Sequence, residues 1–398
     1  MPGMKITRVE AIPLAATFEQ IYGGIDKVPH HMLFPSANFA NVGAPRTGQY
    51  TCLIRIETDT GLVGVGEAYG LRDPRVSAAV VEHVLAPALI GRDPLRTEAL
   101  WQAMFAIGAF HTEGYHTQAV AGVDIALWDL KGKALGQPIS VLLGGPIRES
   151  LWCYASPVTL CDPDTARERA REFLAKGFTA VKVKVGGVLA EDVDRVAAVR
   201  EVIGPGMPLM LDVNAALDPR GAIALARAVE PYSCYWLEEP VPPEDLTGMA
   251  HVRRSVNLPV ATGEQSSSVY TFRDLLRAEA ADVFMPNITK AGGISECQRI
   301  ATLVHTENLK MSPHGVGSGI GLAATLQWCA AMPSFLIYEY NQLLNPLRHD
   351  ILKTPIVFED GHLQVPTGPG LGVELDWEKV EQYRMDRTAR QEMAGVAR

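Results

Sequence analysis

Residues 179–186 read TAVKVKVG. Val181, Val183 and Val185 alternate with Lys182 and Lys184, and a period of two puts the valines on one face of a strand and both lysines on the other. Where the lysine face points decides the fold. On its own the stretch also fits an edge strand, whose solvated lysines discourage pairing with another sheet. The surrounding chain settles the choice.

From about residue 151, short apolar runs alternate with amphipathic helical stretches. The runs are LWCYASP, FTAVKVKVG, PLMLDVNA, CYWLEEP, LPVATGE, DVFMPNI, LKMSPH and SFLIYEYN. PDTARERAREFLAKG and AEDVDRVAAVREVIG are two of the helices between them. Eight strands alternating with helices predict an α/β barrel of the (β/α) TIM type. Active sites of such barrels sit at the C-terminal strand ends. Seven successive runs end in polar groups: Lys182 and Lys184, Asp212 and Asn214, Glu238 and Glu239, Glu264, Asn287, His314, and Glu339. The steps from 184 to 212, 238, 264, 287, 314 and 339 are 28, 26, 26, 23, 27 and 25 residues, one β/α unit each. The lysine face of TAVKVKVG therefore points inward.

Asp212, Glu238 and Glu264, on adjacent strands, converge and repel one another unless a cation lies between them or barrel-loop arginines pair with them. All-oxygen ligation suits a hard divalent ion, most simply Mg²⁺. Lys182 and Lys184 are two residues apart, about 6–7 Å. At an effective dielectric near 20 their repulsion is about 2–2.5 kcal/mol. That lowers the pKa of one by about 1.5–2 from about 10.4, which would let it serve as a base.

Ahead of the barrel, residues 1–140 read as an α+β domain. KITRVEAIPL is a strand, and TCLIRIETDTGLVGVGEAY is a hairpin turning at Asp59-Thr60-Gly61. The loop at 20–47, rich in Gly, Pro, Asn and Ser, is long enough to suggest function and is expected to close over the barrel mouth. Tyr22, His30 and His31 are its reactive-looking residues. The helical region 74–140 ends in GVDIALWDLKGKALGQP, stopped by Gly136 and Pro138. Residues 141–350 form the barrel. The tail, 351–398, holds two short strands and is expected to rejoin the N-terminal domain, completing a cap.

The chain has 398 residues, 47% hydrophobic and 20% charged, with a net charge of −9 and no basic run, which excludes nucleic acid and anionic membrane as expected partners. No stretch is long enough to span a bilayer, and MPGMKITRVEAIPLA lacks a signal-peptide layout. The six cysteines contain no Cys-x-x-Cys pair and read as reduced thiols of a cytoplasmic protein.

Taken in order, VKVKVG, DVNA, LEEP, TGE, KAGGI and SPHG, with GVDIALWDLKGKALGQP and GPGLGVELD, resemble the enolase superfamily, in its mandelate racemase and muconate lactonizing group. The resemblance covers essentially the whole chain. It implies a cap over a modified barrel and Mg²⁺ held by Asp212, Glu238 and Glu264. It implies removal of the proton beside a substrate carboxylate, giving a metal-stabilised enediolate, with a Lys or His base. By position it makes Lys184 the base, Lys182 the contact to the carboxylate, Asn214 and Glu339 substrate contacts, and His314 the catalytic histidine. It also suggests a homo-oligomer, dimer or octamer.

The pattern breaks at Asn287, where the mandelate racemase subgroup has an aspartate and the muconate lactonizing subgroup a lysine. Lys290, three residues on, is expected on the opposite strand face unless a loop brings it back, and is not counted as the missing base. An asparagine can orient an imidazole but brings no charge. A one-directional reaction on a small carboxylate is therefore expected. Dehydration of a sugar acid leads. Cycloisomerisation of a sugar-acid lactone follows, on PHGVGSGIGLAA and NPLRHDIL, and racemisation or epimerisation is third. A non-catalytic metal-binding relative is the reading from another class, and the intact acids and lysines argue against it. His111 and His116 are unassigned; His83, His251 and His305 read as helix-surface residues.

Overall fold

The computed structural model describes residues 3–385 except 42, 44, 71 and 109–112, and not the side chain of Phe39. His111 falls outside these residues.

Three strands, β1 (Ile6–Thr17), β2 (Gly48–Thr58) and β3 (Val63–Tyr69), form an antiparallel sheet in sequence order. The β2–β3 turn falls at Asp59-Thr60-Gly61, where Gly61 takes a left-handed φ of 82°. The helix Tyr115–Leu135 crosses this sheet closely. A Cβ on Gly66 would run into the Gly122 carbonyl, and one on Gly122 would come 2.7 Å from the Ala68 nitrogen. Gly136, at φ 65°, ends that helix.

Eight parallel strands follow: β4 (Ser150–Val158), β5 (Val181–Lys184), β6 (Leu209–Asp212), β7 (Trp236–Glu238), β8 (Val260–Thr262), β9 (Val283–Phe284), β10 (Lys310–Met311) and β11 (Tyr338–Asn341). They pair in order from β4 to β10, and β11 pairs with β4. A Met311–Phe335 bridge brings the β10 end to the segment entering β11 and closes the ring. All eight apolar runs became the eight barrel strands. Val181, Val183 and Val185 are fully buried against the surrounding helices. Each contributes about 1.5–3 kcal/mol of burial, so the strand cannot turn over and expose that face cheaply. Inside the barrel, Tyr154, Met210, Trp236, Ala261 and Met285 fill the floor beneath the polar strand ends.

The tail divides its contacts. β12 (Phe358–Glu359) and β13 (His362–Gln364) pair with each other, and β13 adds antiparallel to β4 of the barrel. Beyond them, Gly370 bridges Pro138 and Arg384 bridges Leu14 of the cap sheet.

Cap and barrel are joined by buried carboxylates. Asp124, on the cap helix, accepts the amide (2.9 Å) and hydroxyl (2.6 Å) of Ser295, at the start of the barrel helix Gly293–Thr306. Glu67, on β3, accepts Ser318 N (2.8 Å), Gly321 N (2.6 Å), the Ser318 hydroxyl (2.5 Å) and the Thr51 hydroxyl (2.7 Å). Ser318 caps the helix Gly319–Ala330. A carboxylate at a helix start satisfies free N–H groups and complements the helix dipole. No described helix is long and apolar enough to cross a membrane.

Candidate active site

The strand register builds the site. In β5–β6 Lys184 stands opposite Asp212, and in β6–β7 Asp212 stands opposite Glu238. One side chain from each strand thus reaches the same level at the barrel's C-terminal end. Carboxylate oxygens of Asp212, Glu238 and Glu264 lie within 4.8 Å of one another, and all three residues are buried. Three oxygens at this spacing, drawn from three strands, fit the donor set of a hard divalent cation.

Lys182 is fully buried in the same cluster. Its Nζ lies 3.0 Å from Asp212 Oδ2, 2.8 Å from Glu238 Oε1 and 2.8 Å from Glu339 Oε1. Burial alone would lower its pKa, but Asp212, Glu238 and Glu339 reverse this and hold it well above the ordinary lysine range. The lysine–lysine repulsion expected from the sequence is therefore outweighed at Lys182: three contacts near 3 Å exceed one repulsion across a residue pair. Burial would likewise raise Glu339, but Lys182, His314 and Lys184 hold its carboxyl well below the usual range. Glu238 is pushed well up, by burial first and by Asp212 next.

Lys184 Nζ donates to Asp212 Oδ2 (2.5 Å) and Asn214 Oδ1 (2.6 Å). Asn214 has a left-handed φ of 48°, and its amide bonds Asp212 Oδ1 at 3.0 Å. On the β8–β10 side, His314 Nε2 is 3.2 Å from Glu264 Oε2 and 3.7 Å from Glu339 Oε2. His314 Nδ1 meets Asn287 Nδ2 at 2.9 Å. The two lysines and the histidine thus flank the carboxylates from different sides of the ring.

A cavity of about 820 Å³ opens over Asn214, Glu239 and Glu264. Glu239 is buried with neither carboxylate oxygen hydrogen-bonded, and burial followed by Glu264 raises its pKa well above the usual range. Another hollow, about 540 Å³, is lined by Arg227, Glu230, Cys234 and Arg254. Those residues precede β7 and β8, so it lies at the barrel end away from the carboxylates.

The family models match in two pieces. The model described as mandelate racemase / muconate lactonizing enzyme, N-terminal domain, covers residues 38–144, and enolase C-terminal domain-like covers 165–380. The chain belongs to the enolase superfamily, in its mandelate racemase and muconate lactonizing group. Among relatives within the superfamily, D-galactarolactone cycloisomerase of Agrobacterium fabrum is 40% identical over 347 residues, 84% of this chain and 91% of that protein. A D-galactonate dehydratase family member of Streptomyces bingchenggensis is 35% identical over 366 residues, 83% of this chain and 88% of that one. A racemase from Streptomyces coelicolor A3(2), solved with bound magnesium, superposes with a TM-score of 0.85 at 30% identity, covering 96% of this chain and 100% of that one.

Two expected loop residues, Tyr22 and His30, do not line the 820 Å³ cavity. Tyr22 packs edge-on against Phe18 in a satellite cluster with Val28, Met32 and Leu343. His30 is exposed, with its ring on Phe34. The loop folds into four short helical turns, and Ser36 and Asn38 reach the mouth instead. Asn38 Nδ2 donates to the Asn214 carbonyl. His31 is half-buried, its pKa lowered by burial and by Arg169. His116 bonds the Met104 carbonyl at 2.9 Å, and His83, His251 and His305 are exposed.

Lys290 corrects the sequence expectation. A turn after β9, with the Lys290 and Ala291 amides on the Asn287 carbonyl, swings it back to the mouth. Its Nζ bonds the Glu264 carbonyl (2.8 Å) and Gln265 Oε1 (2.7 Å) and lies 5.2 Å from the Tyr69 ring centroid. Strand alternation fails as a guide there because β9 ends at Phe284.

Proposed function

We propose that this enzyme removes the proton beside the carboxylate of a sugar acid and expels the substituent on the next carbon, either as water from an open-chain acid or as the ring oxygen of a sugar diacid's monolactone, whose second carboxyl group stays free. The observation that carries the reading is the placing of Lys182 and Lys184 on one side of the carboxylate cluster and His314 on another. A substrate held between them meets Lys184 at its α-carbon and His314 at the substituent on the next carbon, an arrangement that serves elimination.

Asp212, Glu238 and Glu264 are the residues that would hold Mg²⁺. When bound, it supplies positive charge facing the substrate carboxylate as that group gains negative charge. Lys182 binds the same carboxylate with its buried ammonium. Lys184, as the neutral amine, takes the α-proton and becomes an ammonium beside Asp212. Asn214 holds Lys184 in place and offers its amide to a substrate hydroxyl. His314 faces the leaving group. Glu339, anchored by the Ser156 hydroxyl (2.5 Å) and Gly315 N (2.9 Å), keeps Lys182 and His314 apart. Ser36 and Asn38 supply polar contacts for the sugar hydroxyls from the cap.

The test is a screen of sugar acids and their lactones, with Mg²⁺ and with EDTA, for the 2-keto-3-deoxy product. Magnesium-dependent turnover of at least one compound is expected. Tight binding of such compounds with no turnover of any would sink the reading in favour of a non-catalytic relative.

A further inference from the structure

The hydrogen on the His314 ring can be placed by following its hydrogen bonds to the backbone. Asn287 Oδ1 lies 2.9 Å from the Thr289 amide nitrogen and 2.7 Å from the Thr289 hydroxyl. A backbone N–H can only donate, so the Asn287 atom facing it is the oxygen. The other end is then the NH₂ group, 3.2 Å from the Val316 carbonyl and 2.9 Å from His314 Nδ1. A carbonyl can only accept, which fixes the same orientation from the opposite side. An amide NH₂ can only donate, so Nδ1 of His314 must accept. We infer that Asn287, itself held by Thr289 and Val316, fixes the ring hydrogen of neutral His314 on Nε2, making this residue a hydrogen-bond donor to the substrate and not a base.

An aspartate at position 287 would accept from Nδ1–H and leave a lone pair on Nε2. The asparagine reverses this, and Nε2 has no lone pair to offer an α-proton. Asn287 and Thr289 act through His314 and are positioning residues.

The consequence for turnover rests on the proposed function; the place of the hydrogen does not. Lys184 takes the α-proton, and the C–H pair becomes the enolate. That pair then forms the Cα–Cβ double bond and expels the β-substituent with its own bonding pair. Hydroxide leaving this way needs a full proton. His314 could give its Nε2 hydrogen only by becoming an anion, since Nδ1 faces an amide that gives none in return. A carboxylate expelled by opening a lactone carries its charge unprotonated and needs only the Nε2–H hydrogen bond. The arrangement therefore suits the monolactone of a sugar diacid, which keeps one free carboxylate, better than the open-chain acid.

The test is ¹⁵N NMR of ring-labelled histidine in the whole protein, with Mg²⁺ and with EDTA, the His314 signals being identified by their loss in His314→Gln. Expected are a hydrogen-bearing Nε2 and a bare Nδ1, and the reverse in Asn287→Asp. A hydrogen on Nδ1 of the wild type overturns the inference, and the wild-type spectrum decides even if the variant does not fold. In parallel, kcat/KM for a lactone should exceed that for its open-chain acid at least tenfold. Equal values overturn the leaving-group consequence. A bare Nδ1 with no turnover of either compound refutes the proposed function and leaves the hydrogen's position standing.

Discussion

Replacing Asp124 with asparagine isolates one ionisation at the joint between cap and barrel. Asp124 is fully buried beneath Gly293, where a Cβ would come 2.5 Å from its Oδ2. Burial pushes its carboxyl from 3.8 up to about 7, against the opposing pull of the Ser295 hydroxyl and amide and of Arg299. Asparagine keeps the shape. Its oxygen can take the Ser295 amide, and the Ser295 hydroxyl can rotate to accept from its NH₂. The pKa is raised on folding, so the stability linked to the protonated acid is complete below about pH 4 and is lost as pH rises through 7. The whole swing is about 4 kcal/mol, of which about 2.5 kcal/mol falls between pH 5 and 8. Urea unfolding of both proteins at a series of pH values measures it, and groups common to the two cancel in the difference. The stability of the wild type relative to the variant should fall by about that amount from pH 5 to 8. A difference that is flat or rises over this range would refute the reasoning, meaning that the N-terminal amides of the helix keep the carboxylate ionised despite its burial.

Lys184→Met should lower turnover by at least about 10²–10⁴-fold, the ordinary contribution of a positioned base, while Mg²⁺ binding measured by calorimetry persists. Substantial residual turnover would move the base to another residue. Glu67→Gln keeps one acceptor where four donors converge, so an N–H at Ser318 or Gly321 is left facing another donor. A loss of about 2–3 kcal/mol in urea unfolding is expected, and a change under 0.5 kcal/mol would show that the joint rearranges freely.

The barrel was legible because each strand carries an apolar run and a polar end, and a period of two forces consecutive polar ends to one level. The same logic brought Asp212, Glu238 and Glu264 together and turned Lys182 and Lys184 inward. It has no purchase where strands stop. Lys290 comes back to the mouth through a turn whose hydrogen bonds start at Asn287, a return the sequence leaves open but strand alternation cannot place. In the 20–47 loop, the chemically reactive Tyr22 and His30 drew attention, yet the short helical turns bury or expose them and bring Ser36 and Asn38 inward. Glu67 was silent for a different reason: its barrel partners lie 251 and 254 residues away. The orientation of Asn287 likewise needs two backbone partners, only one of which is its near neighbour.

The hold of Glu67 on Ser318 and Gly321 bears on how such enzymes can be recombined. The cap supplies Ser36 and Asn38 to the cavity and the barrel supplies the carboxylates and lysines, so exchanging caps between relatives looks like a route to new substrates. Yet Glu67 grips the chain only four residues beyond His314, and a Cβ on Gly321 would come 2.8 Å from its carboxylate. A transplanted cap without that acid, or a barrel without that glycine, would shift the segment leading from His314 into its following helix. Cap and barrel are thus fitted to each other in this chain, and a chimera should be cut so that β3 and the SPHGVGSGIG segment come from the same parent.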